Sequence, residues 1–197
     1  YADLVWDGKR PRAMHALSND GRVIHIGSFS KSIAPALRIG YLVAAWPLLS
    51  RILAIKNDGG SGAIDQMILA EYCRDHFDSH VRALRKTLRH KLDILVDALR
   101  EQFGARAEIN YPAGGIFLWV KLPAGVDTTR LAQAALQSGV AINPGAEWMT
   151  DAEEGRSRLR LCFAHPPEQV IREGVKRLAQ ICQREFGMPA TDAKNHR

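Results

Sequence analysis

Gly27-Ser28-Phe29-Ser30-Lys31-Ser32-Ile33-Ala34-Pro35-Ala36-Leu37-Arg38-Ile39-Gly40-Tyr41 lies between two apolar runs, Val23 to Ile26 before it and Ile39 to Ala45 after it. Both runs are short and rich in β-branched residues, and they read as buried strands. The loop between them is built of serines, one lysine and a proline, and Arg38 follows Lys31 by seven residues. A lysine held between buried strands is partly desolvated, which disfavours its charged form. A neutral amine attacks an aldehyde to form a Schiff base. Serine hydroxyls and a guanidinium fork suit a phosphate.

Ser-Phe-Ser-Lys followed by Arg-x-Gly-Tyr resembles the cofactor-lysine signature of the class I/II aminotransferases, the fold-type-I enzymes of pyridoxal 5'-phosphate. The parts are ordered: strand, Ser-x-Ser-Lys, a proline-containing loop, the arginine, then Gly-Tyr. The resemblance implies that Lys31 is the catalytic residue and forms the Schiff base with the cofactor. It also implies that Ser28, Ser30 and Arg38 hold the cofactor phosphate. Tyr1 stands thirty residues before Lys31, about where the family places the tyrosine that hydrogen-bonds the cofactor's phenolic oxygen. The family's aspartate partner of the pyridine nitrogen would fall just before residue 1. The bland alternative for the loop is a surface lysine in a serine-rich turn.

The chain has 197 residues, 46% of them hydrophobic, with a net charge of +6. No segment approaches about eighteen uninterrupted apolar residues, so no membrane span is expected. The start, Tyr1-Ala2-Asp3-Leu4, has neither a basic n-region nor an apolar h-region, and no signal peptide is expected. Cys73, Cys162 and Cys182 are widely separated and sit in apolar patterns. They read as buried reduced thiols of a cytoplasmic protein rather than a disulfide framework or a metal site. No His-Glu-x-x-His pattern appears among the seven histidines. The basic residues Arg82, Arg85, Lys86, Arg89 and Lys91 lie on one helical segment without interleaved aromatics. They read as a solvated face rather than a nucleic-acid surface.

Periodicity predicts a helix over 47–57, a second over 63–77, and a long amphipathic helix carrying Val81, Leu84, Leu88, Leu92, Leu95, Leu99 and Phe103, with Asp78 or Ser79 as its cap. Ile64, Met67, Ile68 and Tyr72 are expected on a buried side. Strands are expected at 105–111, 116–120, 140–142 and 158–164. Helices are expected at 128–138, capped by Asp127, and after Pro166-Pro167 with Val170, Ile171, Val175, Leu178 and Ile181 inward. Phe117 and Trp119 read as core.

Pro-x-Gly-Gly-x-Phe-x-Trp-Val at 112–120, Asn-Pro-Gly at 143–145 and Leu-Arg-Leu-Cys-Phe-Ala at 159–164 also resemble the aminotransferases, in order. The resemblance implies that Arg160 binds the substrate α-carboxylate; Arg158, on the same face of its strand, is the competitor.

The expected fold class is α/β. The second half of the large domain, a parallel-type sheet with helices, covers 1–80, a linking helix 81–104, a small C-terminal α/β domain 105–187, and a mobile tail 188–197. The resemblance implies a transaminase acting on an amino acid and a 2-oxo acid, aminoadipate/kynurenine-type in wording, and a homodimer. With no initiator Met, the chain is expected to be a C-terminal portion, inactive by itself. The alternative is the effector domain of a MocR-type GntR transcription regulator that senses pyridoxal phosphate or an amino compound. Nucleic acid enters only through a DNA-reading domain upstream. A lyase or decarboxylase on the same fold is a third reading.

Overall fold

A computed structural model describes residues 2–18 and 20–188, and Tyr1 therefore lies outside the described residues. The chain divides into two units, one up to Lys86 and the other from Thr87.

The first unit carries β1 (His25–Ser28), β2 (Gly40–Val43), α1 (Trp46–Ile55) and the start of α2 (Ala63–Phe103). The two strands pair antiparallel, with Gly27 opposite Tyr41 and Ser28 opposite Gly40. A parallel-type sheet was the expectation here. The reason for the difference is connectivity: a short loop without a crossover helix can join only antiparallel neighbours. The strands are also not buried among the described residues, since Ile26 is 76% exposed and Val43 44%. A two-stranded ribbon has no second layer of its own to cover its faces.

The helices expected at 63–77 and from residue 81 onward are one, the 41-residue α2. Ser79 does not cap a new helix; its hydroxyl donates back to the carbonyl of His76 at 2.9 Å, inside the continuing helix. Ile64, Met67 and Ile68 are exposed, against expectation, whereas Leu88, Leu92, Leu95, Leu99 and Phe103 are buried as their spacing predicts.

The second unit is organised on a four-stranded antiparallel sheet made by β3 (Glu108–Asn110), β4 (Phe117–Lys121), β5 (Asn143–Pro144) and β6 (Arg158–Cys162), in the order β3-β4-β6-β5. Between them run α3 (Thr128–Gln137) and the short α4 (Ala152–Gly155), and α5 (Glu168–Phe186) follows. Asp127 caps α3 as expected, accepting from the backbone N–H groups of Thr129 and Arg130. The strand expected at 140–142 is instead the two residues of β5. Pro144 has no N–H to donate and sits on the sheet edge, where none is needed.

Alternation along β4 and β6 sorts the side chains. Leu118, Val120, Leu159 and Leu161 face the core with Leu131, Ala135, Phe163, Val175, Leu178 and Ile181. Phe117, Trp119, Lys121, Arg158, Arg160 and Cys162 share the other face. Phe117 and Trp119 are thus half-buried on the outer face rather than core. Val170, 54% exposed, leaves the inward stripe of α5. The thiols differ as well: Cys182 is buried, Cys73 half-buried and Cys162 exposed. Cys162 follows the outward parity of Arg158 and Arg160, which an apolar sequence context does not disclose.

Candidate active site

In the first unit, Lys31 and Ser28 line one cavity of about 260 Å³ together with Asp3, Arg10, His25, Ser32 and Tyr41. The loop that carries them is held at both ends. The N–H of Phe29 donates to the carbonyl of Ile39 (3.2 Å), and that of Ile33 donates to Phe29 (2.9 Å). Ser28 Oγ accepts from the N–H of Ser30 at 3.1 Å and lies 3.0 Å from Ser30 Oγ. The two hydroxyls therefore sit side by side. Arg38 closes the short turn Pro35–Leu37 with φ = 54°, among the described residues the one non-glycine backbone in the left-handed region. Its Nη1 donates to the carbonyl of Pro35. Such a conformation costs free energy and persists where the surrounding structure over-determines the backbone.

Tyr41 lies across Gly27. A Cβ at residue 27 would fall 2.1 Å from the Tyr41 ring, so only glycine lets the ring lie there. The same ring contacts His25 and Phe29, with centroids 5.7 and 5.5 Å away. The expectation of a desolvated lysine is not met. Lys31 is exposed, because its loop projects from an uncovered ribbon. Of the four residues on this loop expected to meet the cofactor, Lys31 and Ser28 meet in the cavity, Ser30 is tied to Ser28, and Arg38 is not part of the lining.

In the second unit, Arg158 and Arg160 share the outer face but have different partners. Arg158 Nη2 donates to Glu154 Oε1 at 3.0 Å. Arg160 has no carboxylate within ion-pairing reach among the described residues. Its Cζ lies 3.3 Å from the ring centroid of Trp148 and 4.1 Å from that of Phe117. One in-plane contact is a long one, from Nη2 to Asn143 Oδ1 at 3.5 Å, and its buried Nε has no hydrogen-bond partner. Periodicity could not single out Glu154, Trp148 and Asn143. They come from a short helix, a turn and an edge strand, and converge only in space.

The donor set suits an anionic aldehyde cofactor: a lysine amine and two adjacent hydroxyls on one loop, three of whose groups meet at the cavity or beside it. The aminotransferase class I and II family matches over residues 1–178, and the chain belongs to that family. It is 33% identical over 190 residues to aromatic-amino-acid aminotransferase 1 of Thermococcus litoralis, covering 94% of this chain and 45% of that protein. It is 30% identical to YisV of Bacillus subtilis, described as an uncharacterised HTH-type transcriptional regulator, covering 93% of this chain and 38% of that protein. Among solved structures it is similar to LysN, an α-aminoadipate aminotransferase of Thermus thermophilus complexed with N-(5'-phosphopyridoxyl)-L-leucine. There the TM-score is 0.83 at 28% identity, covering 93% of this chain and 48% of that one. The chain thus spans less than half the length of these curated relatives.

Proposed function

We propose that this chain serves a transaminase that moves an amino group between an amino acid and a 2-oxo acid. Lys31 is its catalytic amine, Ser28, Ser30 and Arg38 are its phosphate donors, and Arg160 is its substrate-carboxylate anchor; Tyr1 is proposed as a further cofactor contact. The observation that carries the reading is the cavity shared by Lys31 and Ser28, on a loop whose second serine is hydrogen-bonded to the first. Pyridoxal 5'-phosphate, when bound, supplies the electron sink that makes a Cα proton labile. Lys31, exposed at the cavity, is free to take and return that proton as general base and acid. The Ser28 hydroxyl donates to Ser30 Oγ, which leaves the Ser30 hydroxyl as the donor to a phosphate oxygen. Arg160, unlike Arg158, offers a guanidinium with no competing carboxylate, and two parallel N–H donors fix a carboxylate in both position and plane.

The chain alone is proposed to lack transaminase activity, since it spans under half of its curated relatives. A homodimer and a cytoplasmic location belong to the same proposal; among the described residues no helix is long and apolar enough to cross a membrane. In the protein bearing this chain, Lys31→Ala is expected to abolish the visible absorbance gained on adding pyridoxal phosphate, together with amino transfer. Absorbance retained in that variant rules Lys31 out. Similarity to a transcriptional regulator makes an effector-domain role the second reading. Cofactor binding without amino transfer to any 2-oxo acid would favour it.

A further inference from the structure

We propose that Trp148, assisted by Phe117, is a positioning residue for Arg160. The two rings hold the guanidinium so that its in-plane N–H groups remain presented to a carboxylate. The inference rests on the carboxylate-anchor reading of Arg160 for its purpose, and on the geometry alone for its existence.

A guanidinium is planar and weakly hydrated, and it stacks on aromatic faces through its own face. A ring centroid 3.3 Å from Cζ leaves no room for a water layer between the Trp148 indole and the cation. Phe117 approaches the same atom at 4.1 Å. It does so as the diagonal neighbour of Arg160 across the β4–β6 ladder, where Phe117 faces Cys162 and Trp119 faces Arg160. Stacking uses the π-face of the cation and leaves its hydrogen-bonding edge untouched. On that edge the protein supplies only the 3.5 Å contact to Asn143, and Nε is left without an acceptor. A buried donor without a partner costs stability, and Arg158 Nε shares that state, so the stack on Trp148 and Phe117 is what sets Arg160 apart.

The backbone brings Trp148 to this place by close packing. The turn Gly145–Glu147 precedes it, and the N–H of Trp148 donates to the carbonyl of Gly145 at 2.9 Å. A Cβ at Gly145 would lie 2.6 Å from the carbonyl oxygens of Arg158 and Gly155, and one at Gly155 would lie 2.8 Å from the backbone of Ala146. Two glycines thus let the turn press against the start of β6, two residues from Arg160. Trp148 is itself 52% exposed, so its place over Arg160 is not explained by core filling.

The test compares Trp148→Leu, Trp148→Phe and Arg160→Lys in the full-length protein that bears this chain, with 2-oxoglutarate as the probe. Trp148→Leu is expected to weaken its binding about five-fold and to raise KM for the amino donor similarly, with kcat changed less than about two-fold. Trp148→Phe, which keeps a ring, should stay within about two-fold of the parent. With arginine-selective isotope labelling, the Arg160 Nε–Hε signal should lose its ring-current shift, and rotation about Nε–Cζ should quicken, in Trp148→Leu but not in Trp148→Phe. Unchanged Arg160 signals and unchanged binding in Trp148→Leu overturn the proposal. If Arg160→Lys weakens binding and Trp148→Leu does not, the anchor stands and the positioning role falls. If Arg160→Lys leaves binding unchanged, the carboxylate reading falls, and the purpose assigned to the stack falls with it.

Discussion

Among the described residues, four buried hydrophobic side chains fall before Thr87 and twenty-six after it. The exposed large hydrophobics divide the other way, thirteen before and four after. The second unit closes a core: one face of a four-stranded sheet packs its leucines and valines with those of α3 and α5. The first unit carries strands and helix turns of core-like composition whose apolar faces the described residues leave open. Ile26, Trp46, Ile55, Ile64 and Met67 are each more than half exposed. Apolar patterning marks a residue for burial, but the covering layer must be supplied by something. In the second unit the described residues supply it, and in the first they do not. The two proposed functional arginines follow the same division. Arg160 is held among side chains of its own unit, whereas Arg38 is exposed and its guanidinium donates to the backbone carbonyl of Pro35.

The contrast can be broken most sharply at the thiols. Burial pushes the Cys182 thiol up to about 12, and pushes that of the half-buried Cys73 up as well. The thiolate is the reactive form. At pH 8, iodoacetamide is therefore expected to label Cys73 at least about a hundred-fold faster than Cys182, whose labelling waits for unfolding. Peptide mass mapping over time reads this out, and comparable rates would mean that the second unit is not the closed one. Truncation gives the next largest effect. Leu118→Ala or Leu131→Ala should cost about 3 kcal/mol in denaturant unfolding. Ile26→Ala in this chain should cost under about 0.5 kcal/mol. A large loss at Ile26 would show that its face is covered after all.

The smallest effect sharpens the description of the second unit. Asp127→Ala removes the cap of α3 and should cost about 1 kcal/mol. The N–H of Arg130, then that of Thr129 and the side chain of Arg156, hold the Asp127 carboxyl below its ordinary 3.8 against the opposing effect of burial. A depressed carboxyl stabilises the fold above its unfolded-state value and loses that contribution as pH falls through the folded one. The difference between parent and Asp127→Ala, measured by thermal unfolding, should thus hold near neutrality and shrink below about pH 4.

Local signals were legible where the chain itself satisfies them. Asp127 caps a helix because its acceptor is three residues or fewer from the N–H groups it serves. The stripe from Leu88 to Phe103 is buried because α5 and the sheet belong to the same unit. The boundary placed at Asp78 and Ser79 failed for a local reason too: a serine hydroxyl can bond back into a helix as readily as it caps one. The parallel-type sheet came from the family resemblance, and the short connection between β1 and β2 decided against it.

The amino-acid sequence alone determined the order of the loop around Lys31, the α/β class and the shared face of the two arginines, because these are written in order and spacing along the chain, and it disclosed the aminotransferase family through the resemblance of its motifs. Folding alone gave the two arginines different partners. Glu154, four residues before Arg158, swings back from a short helix to pair with it, while Trp148 and Phe117 arrive from a turn and another strand to stack on Arg160. The ion pair joins residues only four apart, but the stack is made by proximity across the fold, and no periodicity records it.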